Sequence, residues 1–221
     1  MRGRSPYRLI HPTLEVPMTE LTLADELVRL EPLAADHATE LARAAADGDL
    51  GQLWYTSVPE PRDVGAYIDA ATVGRAGGRV IPFAVRDLGQ DRVIGSTRFY
   101  DIDSNVPRMA IGYTWYARSA QRTHLNSACK RLMLAHAFDA IGCATVEFHT
   151  DFRNQQSRLA LDRLGAKQDG ILRSHQRRPD GTLRDTVCFS ILAREWPDVR
   201  RTLDLRITRL LARGAPGEHP S

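Results

Sequence analysis

Three β-patterned segments lie almost end to end in the middle of the chain: "RVIPFAVRD" (79–87), "RVIGSTRFYD" (92–101) and "RMAIGYTWY" (108–116). Little more than "LGQ" and "IDSNVP" separates them, connectors of hairpin type. Neighbouring strands must therefore run antiparallel. The next strand pattern, "ATVEFHT" (144–150), arrives only after a long helical stretch at 126–141. A strand, a helix and a second strand at that spacing make a parallel crossover. A meander feeding a crossover within one sheet predicts a mixed α/β (α+β) domain.

The flanking segments fit that plan. "LVRLEPL" (27–33) alternates as a short strand, and "AADHATELARAAAD" (34–47) has helical spacing with Asp36 in the cap region. "LWYTSVPEP" (53–61) is an aromatic loop carrying Trp54 and Tyr55, and 62–78 reads as a helix closed by glycines. Helix 154–166 follows the crossover strand. Strands 170–178 and 183–192 then flank "PDG" at 179–181, a hairpin signal. The expected sheet has six to seven strands, mostly antiparallel, with helices alongside. Residues 1–20, with three prolines, read as an arm, 21–198 as the domain, and 199–221 as a basic helix or tail.

Composition sets outer limits. With 43% apolar and 26% charged residues, the 221-residue chain can bury an ordinary core. Lysine occurs only at Lys130 and Lys167, so arginine supplies 28 of the 30 basic residues. Arginine suits flat anions such as carboxylate and phosphate, although codon bias gives the same excess. Cys129, Cys143 and Cys188 are far apart and lack a histidine pair at ligand spacing, which predicts reduced thiols and no metal. Neither a secretory h-region nor a membrane-length apolar run is present, so a soluble cytoplasmic protein is expected.

The stretch "RSAQRTHLNSACK" (118–130) joins a strand to a helix N-terminus, the kind of place where main-chain N–H groups and the helix dipole hold phosphate. It contains no glycine. Asparagine tolerates left-handed backbone, so Asn126 is a candidate to replace one.

That loop, the helix ending "HAFD", the "N-x-x-S" start of the next helix and "RLGA", taken with the element order, resemble the GNAT superfamily of acyl-CoA-dependent N-acyltransferases. The closest branch looks like the RimJ/RimL type. The resemblance implies the GNAT fold, with the strands at 108–116 and 144–150, fourth and fifth in order, splayed apart. It implies an acyl-CoA co-substrate, acetyl-CoA or succinyl-CoA, whose diphosphate lies on Gln121, Arg122, Thr123, His124, Leu125, Asn126 and Ser127, with Arg118 and Arg122 adding charge. His124 stands where the family pattern has glycine, so its side chain must point away from the phosphates. Main-chain groups at Trp115, Tyr116 and Ala117 would pair with the pantetheine arm. Asn154 would bond that arm as well, and Ser157 would protonate the leaving thiolate, directly or through water.

Read from the residues alone, Asn154 and Ser157 are equally a helix cap. For the base, alternation along 144–150 puts Glu147 and His149 on one face. Glu147 is the first choice, with Asp101 and Asp103 as rivals. His136, on an apolar helix, reads as structural. Arg173, His175, Arg177 and Arg178 form a basic hairpin that would favour a succinyl donor if it faced the acyl group.

The expected activity is transfer of an acyl group to a primary amine of a protein N-terminus, a lysine or a small molecule. The alternative is a silent acyl-CoA-binding sensor or scaffold. The C-terminal arginines are interrupted by Asp198 and Asp204 and carry no RNA-binding aromatic motif, so nucleic acid is not an expected partner. A homodimer or higher homo-oligomer is expected.

Overall fold

The structure is a computed structural model that describes residues 21–48, 58–78, 80–178 and 180–214. The arm at 1–20, Trp54 and Tyr55, Pro179 of the "PDG" signal and the end of the tail lie outside the described residues.

Strands β1 (Leu23–Ala24), β2 (Val28–Pro32), β3 (Val80–Asp87), β4 (Arg92–Asp103), β5 (Arg108–Tyr116), β6 (Thr145–Asp151), β7 (Lys167–Arg177) and β8 (Leu183–Leu192) form one sheet. Their order is β1-β2-β3-β4-β5-β6-β8-β7. Helices α1 (Ala38–Ala46), α2 (Val64–Ala76), α3 (Leu125–Ala135), α4 (Gln155–Leu164) and α5 (Trp196–Gly214) cover it. Every neighbouring pair is antiparallel except β5 and β6, where α3 provides the crossover. This is the mixed sheet expected, with the two-residue β1 added at its edge.

Helices cover both faces. On β4 the Ser96 hydroxyl accepts a bond from Tyr67 of α2, while the next residue, Thr97, touches the Met133 sulfur of α3. Central strands covered on both sides lose the polar half of their alternation. Residues 93–99 of β4 are accordingly all buried. Helix α5 adds Trp196, Val199, Leu203 and Ile207 to the same core. The edge strand β7 is exposed along almost its whole length.

Two departures from regularity shape the functional region. β5 and β6 pair only at Arg108–Thr145, Met109–Val146 and Ala110–Glu147, then diverge, leaving a splay between 111–116 and 148–151. β5 also carries a bulge opposite Ser96–Arg98, and there Tyr113 has φ of 51°. A bulge bends its strand and re-aims the side chains next to it. Gly95 lies under this bend: a Cβ there would come within 2.0 Å of the Trp115 carbonyl oxygen. Any side chain at Gly95 would push β5 off β4.

Candidate active site

The segment after β5 is built without glycine. A single turn at Arg118–Ala120 leads to Gln121, then to Arg122 at φ of 62°, and α3 starts at Leu125. Asn126 was the expected left-handed residue, but it lies in the first turn of α3; the loop reverses at Arg122 instead. The Thr123 hydroxyl donates to the Ala120 carbonyl at 2.7 Å and accepts the Leu125 N–H at 3.3 Å, an arrangement that sets the helix start. The Gln121 side chain donates to the Tyr116 carbonyl. Asp47, after α1, accepts the Arg118 N–H on its carbonyl and the Ser119 N–H on its carboxylate. Those bonds to Ser119, helped by Arg92 and Arg118, hold the Asp47 carboxyl below its usual range.

This leaves a specific set of donors. The N–H groups of Ala117, Arg118, Ser119, Ala120, Gln121 and Leu125 are all bonded within the protein. Those of Arg122, Thr123, His124, Asn126 and Ser127 find no acceptor among the described residues. Five bare donors at a helix N-terminus suit a diphosphate. Of the three residues expected to meet pantetheine, Ala117 donates to the Ile94 carbonyl of β4 at 2.7 Å. Alternation then turns the Tyr116 N–H to the other edge, toward the splay. The Trp115 and Tyr116 side chains are buried, Trp115 donating to the Tyr67 hydroxyl.

On the far side of the splay, Asn154 caps α4 by accepting the Ser157 N–H at 3.0 Å. Both side chains are half-buried. Glu147 and His149 do share a face. The Tyr100 hydroxyl lies 3.1 Å from His149 Nδ1, and His149 Nε2 lies 3.6 Å from Glu147 Oε2. Arg108 binds the other Glu147 oxygen at 3.0 Å. Burial pushes the His149 imidazole below its ordinary value, with Glu147 and Asp101 opposing, so it is neutral at pH 7 and able to take a proton. Burial raises the Tyr100 phenol, which stays protonated.

The rival Asp103 bonds the turn amides of Asn105 and Val106 and lies 3.7 Å from Arg108. Asp101 lines a cleft of about 200 Å³ with Gly74, Val80, Arg98, Tyr100 and Tyr113. His136 rests against Phe99 in the core, its pKa lowered by burial. Arg178 turns inward to a buried ion pair with Asp151 at 2.6 Å, whereas Arg173, His175 and Arg177 are exposed. Among the described residues no group of three or more His, Cys, Asp or Glu side chains is placed to hold a metal ion. No described helix is long and apolar enough to cross a membrane.

A family profile described as "Acetyltransferase (GNAT) domain" matches residues 28–167, most of the chain. The protein belongs to the GNAT acetyltransferase family. No curated protein sequence matches it. A GCN5-related N-acetyltransferase from Brucella melitensis is 28% identical, over 84% of this chain and 85% of its own, with a TM-score of 0.76. RimJ of Mycobacterium smegmatis, solved with CoA-disulfide, is 20% identical, over 84% of this chain and 92% of its own, at 0.67. The microcin C7 self-immunity acetyltransferase MccE, solved with acetyl-CoA and AMP, is 15% identical, over 76% of this chain and 93% of its own, at 0.65. At these last two identities the likeness is one of fold.

Within this GNAT domain, sequence reading did not reach Arg98, Tyr100 or Tyr113. The bulge at Tyr113 brings the three together: the Arg98 guanidinium lies 4.2 Å from the Tyr113 ring centre, and the Tyr100 and Tyr113 rings meet edge to face at 5.3 Å. No local pattern announces a bulge between two good strands.

Proposed function

We propose that the protein moves an acetyl group from acetyl-CoA to a primary amine by direct attack in a ternary complex. The observation that supports this most is the set of bare N–H groups at Arg122, Thr123, His124, Asn126 and Ser127, next to a splay edged by the Tyr116 N–H. In this reading the diphosphate lies on those amides, with Arg118 and Arg122 alongside, and the pantetheine arm enters between β5 and β6. Attack forms the C–N bond and expels the CoA thiolate. The amine proton passes through the His149 ring to Glu147 Oε2, and Ser157 protonates the thiolate, directly or through water, and regains its proton from solvent.

The family supports an acyl-CoA co-substrate. A protein N-terminus, a lysine and a small amine are the acceptors considered. Acetyl is preferred to succinyl because Arg178 is committed to Asp151 and Arg173, His175 and Arg177 are exposed. A cytoplasmic homodimer remains part of this reading.

CoA release over a panel of amines tests the proposal, and a protein that binds acetyl-CoA yet releases none is a sensor. Ser157→Ala is expected to cut turnover about a hundredfold, the lower end of what a positioned acid contributes. Its acetyl-CoA affinity should stay within a fewfold. Undiminished turnover removes Ser157 from the mechanism.

A further inference from the structure

Arg98 lies in the middle of β4 and is only 8% exposed, yet it has no carboxylate partner among the described residues. No ion pair or hydrogen bond to its guanidinium is present among the described residues, and its buried Nε has no acceptor. What holds it is aromatic: the Tyr67 ring at 5.2 Å and the Tyr113 ring at 4.2 Å. A buried cation without an anion costs free energy. Two stacked rings compensate in part, but they leave the donor fork unused.

Arg98 lines a cleft of about 200 Å³ together with Gly74, Val80, Tyr100, Asp101 and Tyr113. That volume suits a small molecule. Its walls carry one cation, Arg98, and one exposed carboxylate, Asp101. The cleft also adjoins the proposed proton path, because Tyr100 touches Tyr113 on one side and His149 on the other.

We infer that Arg98 is an anion subsite in the acceptor cleft, and that the acceptor is a small amine carrying a carboxylate, an amino acid. A planar carboxylate matches the guanidinium fork. The amino end then lies toward Asp101 and Tyr100, on the side from which His149 and Glu147 take its proton. Lysine would replace Arg98 only in part, since its point charge attracts a carboxylate but offers no paired donor fork. This inference rests on the acetyl-transfer reading for its reaction but not for its binding site.

The test compares L-amino acids with their carboxamides, in CoA-release assays with acetyl-CoA and by calorimetric binding in the presence of CoA. Carboxylates are expected to bind, and to show KM at least about tenfold below the matching amides, as a charge-assisted bond implies. In Arg98→Met that ratio should fall toward one, and in Arg98→Lys to an intermediate value. Circular dichroism checks that both variants are folded; if Arg98→Met is not, Arg98→Lys decides. Equal binding of carboxylate and amide, or a preference that survives both substitutions, overturns the subsite. Carboxylate binding without CoA release keeps the subsite and overturns the transferase reading instead.

Discussion

Asp151→Asn is expected to destabilise the protein by about 3–5 kcal/mol, the usual result of removing one partner from a buried ion pair. Asp151 is 2% exposed at the end of β6. Its Oδ2 accepts from Arg178 Nε at 3.1 Å and Nη2 at 2.6 Å, while Oδ1 accepts the Arg153 N–H. Arg178 also bonds the Leu183 carbonyl and the Thr182 hydroxyl. One arginine thus ties the β7–β8 hairpin to the strand end that leads into the Asn154 cap. Asparagine fills the space but removes the carboxylate charge that faces the Arg178 guanidinium. Chemical denaturation measures the loss. The double variant Asp151→Leu with Arg178→Met should recover most of it, because the pair's value lies in not being broken. A loss below about 1 kcal/mol for Asp151→Asn would show that the pair is solvated.

Lys130→Met is expected to do the opposite and raise stability at pH 7, by up to about 3 kcal/mol. Lys130 projects from α3 into the core at 9% exposure. Its Nζ has one neutral hydrogen-bond partner, the Thr114 hydroxyl at 3.2 Å, and lies 5.7 Å from the Phe148 ring centre. Burial lowers its pKa from 10.5 to about 8. That difference corresponds to about 3 kcal/mol between the charged and neutral forms. Below about pH 8 the ammonium is charged in folded and unfolded states alike, and its full cost is present. Between about 8 and 10.5 the unfolded chain binds the extra proton, so stability rises with pH. The wild type should show this alkaline rise, and Lys130→Met should lack it. A variant less stable than wild type at pH 7, or a wild type without the rise, would mean that water reaches the ammonium.

Much of the fold was legible because its signals are local. Short connectors forced the meander at 79–116, and helix 126–141 forced the crossover; the structure has both, with α3 ending at Ala135 in a wide turn through Ala140. β7 was placed three residues late, at 170 rather than Lys167, because a strand exposed on both faces carries no alternation to read. β1, of two residues, is too short for any pattern. In the site, alternation alone paired Glu147 with His149, and "N-x-x-S" gave the Asn154 cap. Pairings made by tertiary packing left no trace in the sequence. Asp151 and Arg178 are 27 residues apart, and Tyr100 and His149 are 49 apart. The loop shows a subtler limit. Chain composition identified a glycine-free turn, but which residue takes positive φ depends on how Thr123 and Gln121 bond their neighbours.

Calorimetric titration with acetyl-CoA, read alongside amide hydrogen exchange, tests the central claim most directly. One thioester should bind per chain at micromolar to submillimolar concentration, protecting the amides of Tyr116, Arg122, Thr123, His124, Asn126 and Ser127. No binding at millimolar acetyl-CoA, or protection confined to another surface, would contradict it.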